Sequence, residues 1–231
     1  MGSSLFRPFV LALVLLLLST ATAQAQSTTG EGATLPVLNA IPGPLIWQHP
    51  PVDWKIDGGN TLSITGGKGT DWFVSPMGDG RSDNSSRLLF KPADDFVLSA
   101  KVDVGFRSQW DAGVLVLYVN DELWAKLCFE MTVEKHPAIV SVVTKGLSDD
   151  NNSIAIEGNS VYLKMAKAGQ AIFFYASQDG KKWSIIRAFS LGVKPDLQVG
   201  FSSQSPVGAG CTSVFTDIHY QAKKVDLWSG Q

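Results

Sequence analysis

Between Phe96 and Phe106 every even position is apolar (Phe96, Leu98, Ala100, Val102, Val104, Phe106), and Ser99, Lys101 and Asp103 fall on the odd ones. A period of two does not fit a helix, whose faces repeat every 3.6 residues; it predicts a strand with one buried face. Leu123 to Met131 repeats the pattern, with Leu123, Ala125, Leu127, Phe129 and Met131 on one side. Trp124, Lys126, Cys128 and Glu130 occupy the other. Gly113 to Val119 is apolar throughout, as expected of a strand covered on both faces.

The rest of the chain continues in this way. Leu62–Ile64, Trp72–Val74, Ala138–Thr144, Val161–Met165, Ala171–Ser177, Trp183–Phe189, Leu197–Ser202 and Ser213–Tyr220 all read as strands between turn residues. Asp179-Gly180 between apolar runs predicts a type I′ hairpin turn. Gly66-Gly67-Lys68-Gly69 predicts a hairpin tip, and Ser148 to Ser153 an oxygen-rich polar turn, which offers calcium ligands but lacks the spaced EF-hand pattern. No window carries a helical period. Roughly a dozen strands exceed what one open sheet normally holds, so the expected fold is an all-β, two-sheet antiparallel β-sandwich.

The N-terminus predicts export. Arg7 precedes an apolar run from Phe9 to Leu18, and Ala21-Thr22-Ala23 and Ala23-Gln24-Ala25 have the small-x-small form of a cleavage site. The run falls short of the ~20 residues that span a bilayer. The expected organisation is a signal peptide over 1–25, a lead-in over 26–43, one sandwich domain over 44–222 and a tail over 223–231. Of 19 basic residues only Arg7 leaves with the signal, so 18 face 21 acidic ones, a net charge of −3. That balance, without a basic stripe, argues against nucleic acid as a partner. No membrane association is expected after the signal is removed. Cys128 and Cys211 are the only two cysteines, and they either pair or remain buried thiols.

Several stretches in order resemble a concanavalin A-like family of unknown function that includes a fungal regulator of enolase expression. They are Asp95 to Leu98, Asp111 to Val116, Trp124-Ala125-Lys126 with Glu130, and Ser141 to Thr144. Tyr175 to Trp183, Val199-Gly200-Phe201 and Phe215-Thr216-Asp217 complete them. The resemblance implies a jelly-roll sandwich of the lectin and glucanase superfamily. It implies no chemistry, because function is not carried by a fold.

Trp124, Lys126 and Glu130 form the leading candidate site, since an aromatic ring beside charged hydrogen-bonding groups suits a sugar. Gln109, Asp111 and Thr144, within or beside the resembling stretches, are further candidates. Lys126 stands where a retaining glycosidase would place a carboxylate on the same strand face as Glu130. A neighbouring lysine is also expected to lower the Glu130 pKa, the reverse of what a general acid needs. Asp71 or Asp111 is the available second carboxyl from another element. The scattered histidines form no catalytic grouping, and no motif calls for a cofactor or metal. The preferred reading is a secreted, non-catalytic protein with a glycan or polysaccharide ligand. A glycoside-active enzyme using Glu130 with a distant Asp, or a protein-interaction sandwich anchored by Trp124, are the alternatives.

Overall fold

The computed structural model of the chain describes residues 35–192 and 196–230. The expected signal peptide and the lead-in up to residue 34 lie outside the described residues. Among those described there are strands and no helix. The first six strands are β1 (Ile46–Gln48), β2 (Asp53–Asp57), β3 (Thr61–Gly67), β4 (Trp72–Val74), β5 (Arg81–Asp83) and β6 (Ser86–Phe90). The long central strands follow: β7 (Phe96–Val104), β8 (Ala112–Asn120), β9 (Leu123–Met131), β10 (Pro137–Lys145) and β11 (Leu147–Ala155). The last are β12 (Ser160–Ala168), β13 (Ala171–Ser177), β14 (Ser184–Ser190), β15 (Gln198–Gln204) and β16 (Gly210–Gln221).

They form two seven-stranded sheets and one small hairpin. One sheet runs β1-β6-β15-β8-β9-β10-β11, the other β14-β13-β12-β7-β16-β3-β2, and β4 pairs with β5. The expected antiparallel sandwich is the fold. Strand β7 alternates between buried and half-buried along its whole length, so its apolar even positions face inward. They meet Leu115 and Leu117 of β8, Leu127 and Phe129 of β9, and Phe201 and Phe215 of β15 and β16 in one apolar core. The layers touch closely at Gly113, where a Cβ would lie 2.5 Å from Val102 Cγ1. Only glycine fits there without moving β7.

The outer face of the first sheet is buried too. Strands β8, β9 and β10 are covered on both sides over most of their length, as the continuous apolar run in β8 predicts. The cover is the β4–β5 hairpin, whose Trp72 and Val74 close a second apolar cluster over Leu89, Val114, Val116, Trp124, Cys128, Val140 and Val142. Val74 N–H donates to Ser148 Oγ at 3.0 Å, which ties the hairpin to β11.

Three local expectations differ from the structure. Residues 148–153 are not a turn but the middle of edge strand β11. Gly66 and Gly67 end β3, and the chain then leaves for β4 rather than turning back as a hairpin. At Asp179-Gly180 only Gly180 has a positive φ, of 69°, whereas a type I′ turn needs both. The Asp179 carboxylate organises this loop instead, accepting the N–H groups of Lys182 and Lys181 at 2.8 Å each. Those bonds hold its pKa down at about 2. Cys128 and Cys211 are both free and buried, the former on the outer face of the first sheet and the latter in the main core.

Candidate functional site

The site lies beside the β4–β5 cover, on the outer face of the first sheet. Register explains the opening. Glu130 stands opposite Ala112 on one side and Ala138 on the other. Two methyl groups leave space around its carboxyl that larger side chains would fill. Lys126 stands opposite Val116 and Val142, and Asp150 extends that row onto β11. The result is a cavity of about 300 Å³ lined by Asp71, Phe73, Trp110, Lys126, Glu130, Val142, Asp150, Gln204 and Pro206. That volume is at the lower end of the range for small-molecule sites.

Lys126 is 3% exposed. Its Nζ donates to Gln204 Oε1 at 3.1 Å and lies 3.7 Å from Asp71 Oδ1. Burial works against the ammonium, but Cys128, Asp71, Glu130 and Asp150 around it outweigh that penalty, and its pKa stands above the ordinary lysine value. Gln204 relays the contact, its Nε2 donating to Trp110 O at 3.4 Å. Trp110 is itself held by its N–H, which donates to Met131 O at 2.7 Å. It has a φ of 63° and its side chain remains 38% exposed at the cavity rim. A tryptophan in the left-handed region is uncommon and strained, and such residues cluster at functional sites.

Glu130 is 7% exposed. No hydrogen bond or ion pair engages its carboxyl among the described residues. Burial pushes its pKa up to about 8 against the opposing pull of Lys126. The lysine was expected to lower it; here loss of solvation outweighs the charge, because a carboxylate without hydrogen bonds is costly in a buried site. Burial also raises Asp150, partly offset by Lys126.

Lys126 and Glu130 of the expected residues line this cavity; Trp124, Gln109, Asp111 and Thr144 do not. Trp124 points to the outer face, as its parity predicts, but it is fully buried under Trp72. Its Nε1 has no hydrogen-bond partner among the described residues. Asp111 is also fully buried: its Oδ2 accepts the N–H groups of Arg107 and Ser108 at 2.9 Å, and its Oδ1 accepts from Ser205 Oγ at 2.6 Å. It shapes the turn that presents Trp110. Thr144 Oγ1 bonds Ser148 Oγ at 2.8 Å beneath the hairpin. Gln109 is half-buried in the turn before Trp110. Trp110, Gln204 and Asp150 are the wall residues that the sequence did not single out as ligands. For Trp110 the available signal was its place beside Asp111 in a loop, and for Asp150 its place in an oxygen-rich segment; Gln204 carried none.

A family model described as "Protein of unknown function (DUF1349)" matches residues 47–223. No curated protein matches the chain. Among solved structures, a functionally unknown protein from Saccharomyces cerevisiae superposes with a TM-score of 0.72 at 20% identity, covering 78% of this chain and 97% of that one. The GH43 BlXynB protein from Bacillus licheniformis gives 0.58 at 18% identity, covering 77% of this chain and 37% of that one. The xylan beta-1,4-xylosidase from Bacillus halodurans gives 0.56 at 18% identity, with 70% and 32% covered. This chain therefore corresponds to about a third of each of those two proteins, and at such identities the likeness is one of fold.

Proposed function

The chain belongs to the DUF1349 family of proteins of unknown function, and from that premise and the cavity's geometry we propose that it is a carbohydrate-binding protein working outside the cytoplasm. The observation that carries this reading is the combination of an exposed Trp110 ring with buried donors and acceptors, Lys126, Gln204 and Glu130, around one small cavity. A sugar needs both: a C–H face to pack on an aromatic ring, and hydroxyls that exchange hydrogen bonds with preplaced polar groups. Likeness in fold to glycoside hydrolases such as the xylosidase is consistent with such a ligand. Export is supported by the apolar run after Arg7 and its small-x-small sites.

A glycan array probed with the purified protein is the test. Selective binding that is lost in Trp110→Ala is the expected result, and an array with no signal would refute the reading. N-terminal sequencing of the protein recovered from its host should give a start near Gln24 or Gln26; an intact Met1 would refute export.

One observation favours a second reading, a glycoside-active enzyme. A carboxyl with a pKa near 8 is protonated at neutral pH, as a general acid must be. Asp71 and Asp150 line the same cavity as the available second carboxyls. Release of reducing ends from a bound oligosaccharide, abolished by Glu130→Gln, would establish it; binding without turnover would exclude it.

A further inference from the structure

Resting on the carbohydrate reading, we infer that the cavity selects sugars that carry a primary ammonium group over neutral and acidic ones. Four ionisable side chains line the cavity, and three of them, Asp71, Glu130 and Asp150, are carboxyls facing one ammonium, Lys126. Lys126 is already engaged by Gln204 Oε1 and lies close to Asp71 Oδ1. Glu130 is the group left over. It is more than nine-tenths buried, faces the cavity, and among the described residues no hydrogen bond or ion pair holds its carboxyl. A largely desolvated carboxyl that opens onto a cavity and is held by no protein donor is an acceptor available to a ligand. An ammonium on the ligand supplies hydrogen-bond donors and, by pairing with the Glu130 carboxyl, favours its ionised form, the carboxyl proton leaving to solvent.

The same balance rejects a uronate. Its carboxylate would enter beside Asp71 and Asp150 with only an occupied lysine to receive it, and like charges in a desolvated site repel strongly. Trp110 adds to the preference for a cation, because a ring face attracts an ammonium as well as a sugar C–H face. Ala112 and Ala138 keep the approach to Glu130 open.

The experiment is titration calorimetry at pH 7 on the full protein with four oligosaccharides of equal length: β-linked glucosamine, its N-acetylated form, xylose and a uronate. The glucosamine oligomer should bind at least ten-fold tighter than its N-acetylated form. Glu130→Gln should remove that margin, bringing the glucosamine and N-acetylated oligomers within about three-fold of each other. Asp150→Asn, on edge strand β11, should narrow it. Equal or tighter binding of the acetylated, neutral or acidic oligomer overturns the inference and leaves the carbohydrate reading standing. An amine preference untouched by both variants also overturns it. Absence of binding by all four removes the carbohydrate reading as well.

Discussion

The indole of Trp72 is stacked on that of Trp124, with ring centroids 3.9 Å apart and planes 19° from parallel. Arg87 lies on the same ring system, its Cζ 4.4 Å from the Trp72 centroid, and its Nη1 pairs with Asp83 Oδ1 of β5 at 2.6 Å. The stack thus clamps a hairpin onto a sheet, and Asp71, at the edge of the cavity, immediately precedes Trp72. Trp124→Ala should therefore act on stability first. Removing a fully buried tryptophan costs about 3–5 kcal/mol, which lowers the melting midpoint by roughly 6–20 °C for a domain of this size. A thermal melt unchanged from wild type would show that the stack does not hold the hairpin.

Trp110→Ala is the complementary variant. Its ring stands at the rim, and its backbone bonds to Met131 and Gln204 do not involve the side chain. Loss of a stacked aromatic anchor costs roughly 1–3 kcal/mol, or ten- to hundred-fold in affinity. The melting midpoint should stay within about 2–4 °C of wild type, the effect of 1 kcal/mol in a domain of this size. Calorimetric affinity and a melt on the same preparation separate the two effects; a large drop in melting midpoint would make Trp110 a packing residue.

How much of this was legible in the sequence follows from where each signal originates. Strand β9 was readable to the residue, because its alternation is local and complete, and parity placed Lys126 and Glu130 together on the outer face. Parity could not say what covers that face. Trp124 is sealed by Trp72, which is distant in sequence, and no local pattern announces that contact. Asp150 was hidden for another reason: β11 is an edge strand whose residues are mostly exposed, so selection for burial leaves no alternation and the segment looks like a turn. The sign of the Glu130 shift depended on desolvation by elements distant in sequence that bury the outer face of the sheet, whereas the opposing lysine was visible on the same strand.

The C-terminal tail gives a prediction away from the site. Leu227 packs on Ala166, Phe173 and Tyr175, and Tyr175 Oη donates to Leu227 O. Lys164 Nζ donates to Gly230 O at 2.7 Å and lies 4.0 Å from the Trp183 ring. The tail thus covers the outer face of the second sheet. Leu227→Ala should cost about 2 kcal/mol, the low end for a truncated leucine at a partly open edge. The expected drop in melting midpoint is roughly 4–8 °C, with carbohydrate affinity unchanged. No drop would mean that the tail is not bound to the sheet in solution.

The raised pKa of Glu130 makes a stability prediction with a definite sign. The folded state holds this proton up to about pH 8, whereas the unfolded chain releases it near 4.5. Below that lower value both states are protonated and the group costs nothing. Between the two values the unfolded state gains by ionising and the folded state cannot, so stability falls as pH rises; above about 8 the loss levels off. At about 1.4 kcal/mol per pH unit the full penalty is at most on the order of 4–5 kcal/mol. Glu130→Gln keeps the shape and removes the titration. Its melting midpoint minus that of wild type should therefore increase from pH 5 to pH 8 and stay level from pH 8 to pH 9. Lys126 and Cys128 feel the Glu130 charge, but both titrate above this pH range in the folded protein and add little to the difference. A difference that is flat across the range would mean that Glu130 is solvated or paired, and ionises as an ordinary glutamate does.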